Sequence, residues 1–148
     1  MVMVRRVESH DEAVWVGLMA ELAALHGCAT SLENIAAGFR FAVGHPEKFA
    51  LFGAEADGSL IGIITLNLGH YSIWTNTWFG LIEDFIVAES HRRQGIGSML
   101  ISRVLEEARA RNLSRLELYA LRQNLPARSL YEKIGFESDS FYYHLYLR

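Results

Sequence analysis

The chain has 148 residues, with one cysteine, two prolines and two lysines. A lone thiol, Cys28, excludes an internal disulfide and a multi-thiolate zinc site, and it suits a reducing cytoplasm. With lysine only at 48 and 133, a Walker phosphate loop, which needs Gly-Lys-Ser/Thr, is excluded. The six histidines show no metal-ligand spacing, so no metal is expected. No apolar run exceeds 13–20, far short of the roughly 20 residues of a membrane span. The opening 1–6 lacks the apolar stretch of a signal peptide. Net charge is −3, so wrapping a nucleic acid is not expected.

Apolar residues make up 51% and charged ones 21%, a globular composition at the length of one domain, residues 1–148. Charge is segregated. Residues 1–91 hold four Lys/Arg against eleven Asp/Glu, and residues 92–148 hold ten against six. A basic second half could serve an anionic cofactor and an acidic first half a cationic substrate, although solvated faces that happen to segregate give the same count.

Residues 2–7 read as a first strand. Ser9-His10-Asp11-Glu12 has the form of a capping box, and Trp15, Leu18, Met19 and Leu22 follow at helical spacing up to Gly27. A second box, Thr30-Ser31-Leu32-Glu33, opens a helix with Leu32, Ile35, Ala36, Phe39 and Val43 on one face. Strands follow at 49–55 and 60–68 around an Asp57-Gly58 turn, and at 79–87. Gly97, Leu100, Ile101, Val104, Leu105 and Ala108 form an apolar helical stripe. A strand at 115–120, a helix at 126–134 ended by Gly135, and a last strand at 141–147 complete the order. The expected class is a mixed α/β sheet with helices on both faces, in which strands 79–87 and 115–120 are parallel because a helix joins them.

The chemistry concentrates at 91–98, His-Arg-Arg-Gln-Gly-Ile-Gly-Ser, where a strand passes into a helix. Such a junction presents unpaired N–H groups at the positive end of the helix dipole, and glycines let an anion reach the backbone. That is a pyrophosphate cradle, or else a turn whose glycines only relieve strain. A dinucleotide fingerprint does not fit, because its third small residue would fall on Leu100.

What remains, Arg92-x-x-Gly95-x-Gly97 after Asp84-Phe85-Ile86-Val87, resembles the acyl-CoA signature of the GNAT N-acetyltransferase superfamily. Asn124-x-x-Ala127-x-x-Leu130-Tyr131-x-x-x-Gly135-Phe136 resembles that family's second motif at the usual distance. The close match spans about 81–136. The resemblance implies the GNAT-like acyl-CoA N-acyltransferase fold and acetyl-CoA as cofactor, with CoA as product. It implies that backbone N–H groups of Gln94, Gly95, Ile96, Gly97 and Ser98 hold the pyrophosphate, with Arg92 and Arg93 adding charge. Phe85, Ile86 and Val87 would pair with the pantetheine arm beside a bulge in their strand. Asn124 would contact the arm, and Ala127 would keep the helix low beside it. Arg128 and Lys133 could meet the nucleotide end or simply be solvated. Tyr131 takes the general-acid position, against a reading as packing with Ala127, Leu130 and Ile134. The Val87 N–H is a candidate oxyanion donor.

Glu83 and Asp84 are an acid pair in an apolar strand, costly without a partner or a role. Alternation sends neighbours to opposite faces, so one reaches the cleft unless the bulge intervenes. This stretch resembles the diamine and polyamine (spermidine/spermine) acetyltransferase branch, which implies that one of them, Glu83 before Asp84, receives the substrate proton. Tyr71, Trp74 and Trp78 would offer aromatic faces to an alkylammonium, or fill space under a loop. The expected activity is transfer of acetyl from acetyl-CoA to a small cationic diamine or polyamine by direct attack in a ternary complex. The alternatives are an aminoglycoside, a protein N-terminus or lysine, or an acyl-CoA-binding regulatory module without turnover. The expected partner is a small amine in the cytoplasm. The reading includes no nucleic acid and no membrane, and it allows a homodimer.

Overall fold

A computed structural model describes residues 1–147 in two compact units, residues 1–117 and the chain from Leu118 onward. In the first unit, β1 (Met3–Arg6), β2 (Phe49–Ala56), β3 (Ser59–Ser72), β4 (Thr77–Val87) and β5 (Leu116–Leu118) form one sheet in that order. The first three pairings are antiparallel. At the β4–β5 edge, Ser114 N–H donates to Trp78 O at 2.9 Å and Gly80 N–H to Arg115 O at 3.1 Å. The two chains therefore advance in step, as a parallel pair does. Gly80 fits closely there, since a Cβ would stand 2.7 Å from Leu66 Cδ1 and 2.8 Å from Leu116 Cδ2 and force those side chains to shift.

Alternation along the strands makes two apolar faces. Leu51, Ile63 and Ile86 pack with Trp15, Leu18 and Phe39 of α1 (Glu12–Leu25) and α2 (Leu32–Val43). On the other face Phe52 meets α3 (Ile96–Ala110), with the Arg103 guanidinium 4.4 Å above its ring. Helices thus cover both faces of a mixed sheet, the class read from sequence.

Local details differ. Ahead of α1 a 3₁₀ turn at Ser9–Asp11 intervenes, and the reciprocal cap lies one residue early: Glu8 N–H donates to Asp11 Oδ2 at 2.8 Å. Asp11 is drawn there by a two-armed ion pair with Arg5, which also holds it well below the usual carboxylate range. At α2 the cap is Ser31, accepting from Asn34 N–H at 3.1 Å, rather than Thr30. Strand β3 runs on to Ser72, so Tyr71 and Trp78 lie on a hairpin rather than in a loop.

In the second unit, α4 (Leu125–Ile134) ends at Gly135, whose φ of 118° is the left-handed cap expected of it. The strand expected at 141–147 is not formed. Its alternating aromatics stack locally instead, Tyr142 on Tyr119 at 4.1 Å and His144 against Tyr146 at 5.0 Å. No helix among the described residues is long and apolar enough to cross a membrane.

Candidate active site

Strand β4 carries one residue more than β3 between two paired positions: Ile63 faces Ile86, and Thr65 faces Glu83. The extra residue is taken up at Asp84, whose φ of 53° is left-handed, where L side chains rarely sit. This is a β-bulge, and it changes which way the acids face. Regular alternation would send Asp84 to the α3 side. Glu83 and Asp84 instead line the same cavity, about 500 Å³, between α1, α2 and the sheet.

Burial pushes the Asp84 carboxyl up to about 6, and the neighbouring Glu83 charge adds to that shift. Thr65, 3% exposed, lies beside it and pulls the other way, yet no hydrogen bond of normal geometry closes on its Oγ1. Glu83 is steered by Asn67, whose Nδ2 lies 3.5 Å from Oε2. The same Asn67 accepts the Gly69 N–H at 3.0 Å, at a second register shift in β3. Thr65 and Asn67 escaped the sequence reading. Their signal was present: two polar residues, two apart, in an otherwise apolar strand.

The rest of the cavity is built by α1, α2 and the turn between them, with Trp15, Leu22 and Phe39 among its walls and His26, Cys28 and Thr30 on that turn. Tyr71, Trp74 and Trp78 are not in this lining. They are 46%, 99% and 52% exposed on the β3–β4 hairpin, where Tyr71 packs edge-on to Trp78 at 5.0 Å.

Beyond β4 the chain turns through Arg93 and Gly95, with φ of 65° and 79°, and enters α3. Gly95 sits at the cap position, so no side chain closes the helix end, and no acid lies in the first turn. Ile96, 2% exposed, anchors the junction in the core while Gln94, Gly95 and Ser98 face outward. A fifteen-residue helix with an uncapped, acid-free start fits an anionic pyrophosphate. Arg92 is committed elsewhere: its Nε donates to Val87 O at 2.9 Å and its Nη2 pairs with Glu21 at 2.7 Å. It braces the loop against α1, and Arg93 remains exposed.

In the second unit Asn124 caps α4, its Oδ1 accepting from Ala127 N–H at 3.3 Å. The Asn-x-x-Ala spacing is therefore also a helix-capping pattern. Tyr131 is half-buried on α4, 6.1 Å edge-on from Phe136, and burial pushes its phenol up to about 12. It stays protonated at neutral pH, as a proton donor must. Arg128 donates to Arg122 O at 3.0 Å, and Lys133 lies exposed in the last turn.

A bulged strand thus leads into an open helix N-terminus, with an acid-floored cavity on its other face. The chain belongs to the acetyltransferase (GNAT) family, whose model matches residues 16–136. It is 33% identical over 85 residues to an uncharacterized N-acetyltransferase of Archaeoglobus fulgidus, covering 57% of this chain and 58% of that one. It is 36% identical over 84 residues to the thialysine N-epsilon-acetyltransferase of Bos taurus, covering 55% and 49%. The match thus spans about half the length of these relatives. A predicted acetyltransferase of Clostridium acetobutylicum, solved with acetyl-CoA, superposes with a TM-score of 0.82 at 18% identity, over 99% of this chain and 96% of that one.

Proposed function

We propose that residues 1–148 act as one domain that acetylates a primary amine from acetyl-CoA by direct attack. The observation that carries this reading is the bulge that turns two neighbouring carboxylates into one cavity. When bound, acetyl-CoA supplies an electrophilic thioester carbonyl. The loop from Gln94 to Ser98 holds its pyrophosphate through backbone N–H groups, and Phe85, Ile86 and Val87 present backbone to the pantetheine arm.

A free primary amine is mostly protonated at neutral pH, since its pKa lies near ~10. The site must therefore bind an ammonium and then remove one proton. Glu83, held by Asn67, binds the ammonium. Asp84, its carboxyl pushed up to about 6 by burial, accepts its proton and uncovers the lone pair. The Val87 N–H stands as the oxyanion donor. In the role the resemblance gives it, Tyr131 would protonate the departing thiolate, while the second proton of the attacking nitrogen passes to solvent, from which the phenol is reprotonated.

On the acceptor, the acid pair suits a diamine or polyamine, the class the resemblance implies, and also a single ammonium. The thialysine relative acts on a lysine analogue, which is consistent with either. The test is free-thiol release from acetyl-CoA across spermidine, short diamines, a lysine analogue, an aminoglycoside, alkylamines and a peptide N-terminus. Amine-dependent release supports the reading. Binding of acetyl-CoA with no release from any amine leaves an acyl-CoA-binding module.

A further inference from the structure

The walls of the acceptor cavity narrow its ligand further, and the argument rests on the amine-acetylating reading above. Glu83 and Asp84 are the only carboxylates among the described residues of the lining. Away from them Trp15, Leu22, Phe39, Phe49 and Leu51 make an apolar wall on α1, α2 and β2, while His26, Cys28, Thr30 and Asn34 line the side towards the α1–α2 turn and add no carboxylate. Trp15 and Phe39 are each 3% exposed and packed on one another at 5.7 Å, so their faces are largely taken up within the core. A second ammonium laid along that apolar wall would lose water and find no carboxylate to pair with, which is unfavourable for an ion. An alkyl or aryl body in the same place loses only unfavourable hydration. The polar end of the cavity is marked independently by Thr65, a buried hydroxyl with no hydrogen bond of normal geometry. Volume is no obstacle, because about 500 Å³ lies within the range of small-molecule sites.

We infer that the acceptor is a primary amine with one ammonium on an apolar body, the ammonium on Glu83, Asp84 and Thr65 and the body between α1 and α2. Polyamines are then poor substrates, in contrast to the class implied by the sequence resemblance.

A matched pair tests this directly: hexylamine and 1,6-diaminohexane have the same chain and differ in one ammonium. Hexylamine should have the higher kcat/KM by about tenfold or more, the scale on which apolar pockets discriminate. The second arm fills the cavity from α2. Gly38 lines it, and a Cβ there meets nothing within 4 Å, so Gly38→Leu adds an apolar side chain at the cavity wall without a clash at Cβ and with a good helix former. It should lower the hexylamine-to-ethylamine ratio of kcat/KM by about tenfold. Calorimetric binding of hexylamine without acetyl-CoA is the third readout, and it should weaken in Gly38→Leu and in Glu83→Gln. If the diamine is acetylated as well as hexylamine or better, the inference is overturned and the amine-acetylating reading stands. If no amine is acetylated, that reading falls, and calorimetry decides the inference: hexylamine binding weakened by Gly38→Leu supports it, and no binding overturns it.

Discussion

Asp84 combines a left-handed backbone, a raised pKa and a place in the cavity, so it is where stability and activity should conflict. Its value of about 6 in the folded chain lies above the ordinary 3.8, so between these pH values the folded state binds the proton more tightly. Stability is therefore lost as pH rises from about 4 through 6, and the ionised carboxylate opposes folding at neutral pH. Asp84→Asn should raise stability at pH 7 by up to about 3 kcal/mol, the worth of two pKa units, and give no gain below pH 4. The same variant should lower turnover roughly 10²-fold and abolish the rise in rate through pH 6. Melting curves and pH–rate profiles of the two proteins check both halves. At Tyr131, phenylalanine should cost roughly 10²-fold in turnover with acetyl-CoA affinity little changed. Equal turnover would return Tyr131 to packing.

Among the elements, β4 does the most. Its N-terminal half is held in the sheet on both edges and its C-terminal half bulges, so one strand supplies a rigid base and a re-aimed acid pair. The rigid half is tightly packed at Gly80, where a Cβ would push on the Cδ atoms of Leu66 and Leu116. Gly80→Ala should destabilise by about 1–3 kcal/mol through overpacking, read as a lower denaturation midpoint. Below that midpoint its acetyl-CoA affinity should be near wild type, because the cradle at 94–98 lies past the other end of the strand. The aromatic hairpin at 71–78 is a separate matter. Its rings are exposed and outside the cavity lining, so the proposed site makes no use of them.

For the molecule as a whole, ion pairs take up part of the acidic charge of the first 91 residues. Asp11 and Glu55 pair with Arg5, Glu12 and Glu33 with Arg40, and Glu21 with Arg92. Of the eleven acids in the first 91 residues these pairs engage five, and the floor of the cavity keeps two carboxylates outside them. Acetyl-CoA binding to the folded state alone should raise the melting temperature, by about 2.7 kcal/mol of stability at a hundred times Kd. Gly97→Val should abolish that response, because a branched side chain in the first turn of α3 would occupy the approach of the pyrophosphate. A titration in which Gly97→Val responds like wild type removes the cradle from 94–98.

The uncapped start of α3 was legible in the chain because its causes are local. A strand, a turn with glycine at 95 and an apolar stripe from Leu100 to Ala108 place a helix start within eight residues, and nothing distant is needed. The left-handed cap at Gly135 and the burial of Trp15, Leu18 and Phe39 follow from similarly short-range patterns. The facing of Glu83 and Asp84 was not legible. Period-two alternation puts them on opposite sides, and only the register of β3 against β4 absorbs a residue at Asp84 and brings them together. The expected strand at 141–147 had the right alternation, but a strand exists only where another backbone pairs with it, and periodicity cannot supply that partner. The cavity between α1, α2 and the sheet has the same origin. Its walls come from residues far apart in sequence, so its apolar character is decided by how α1 and α2 pack over the sheet.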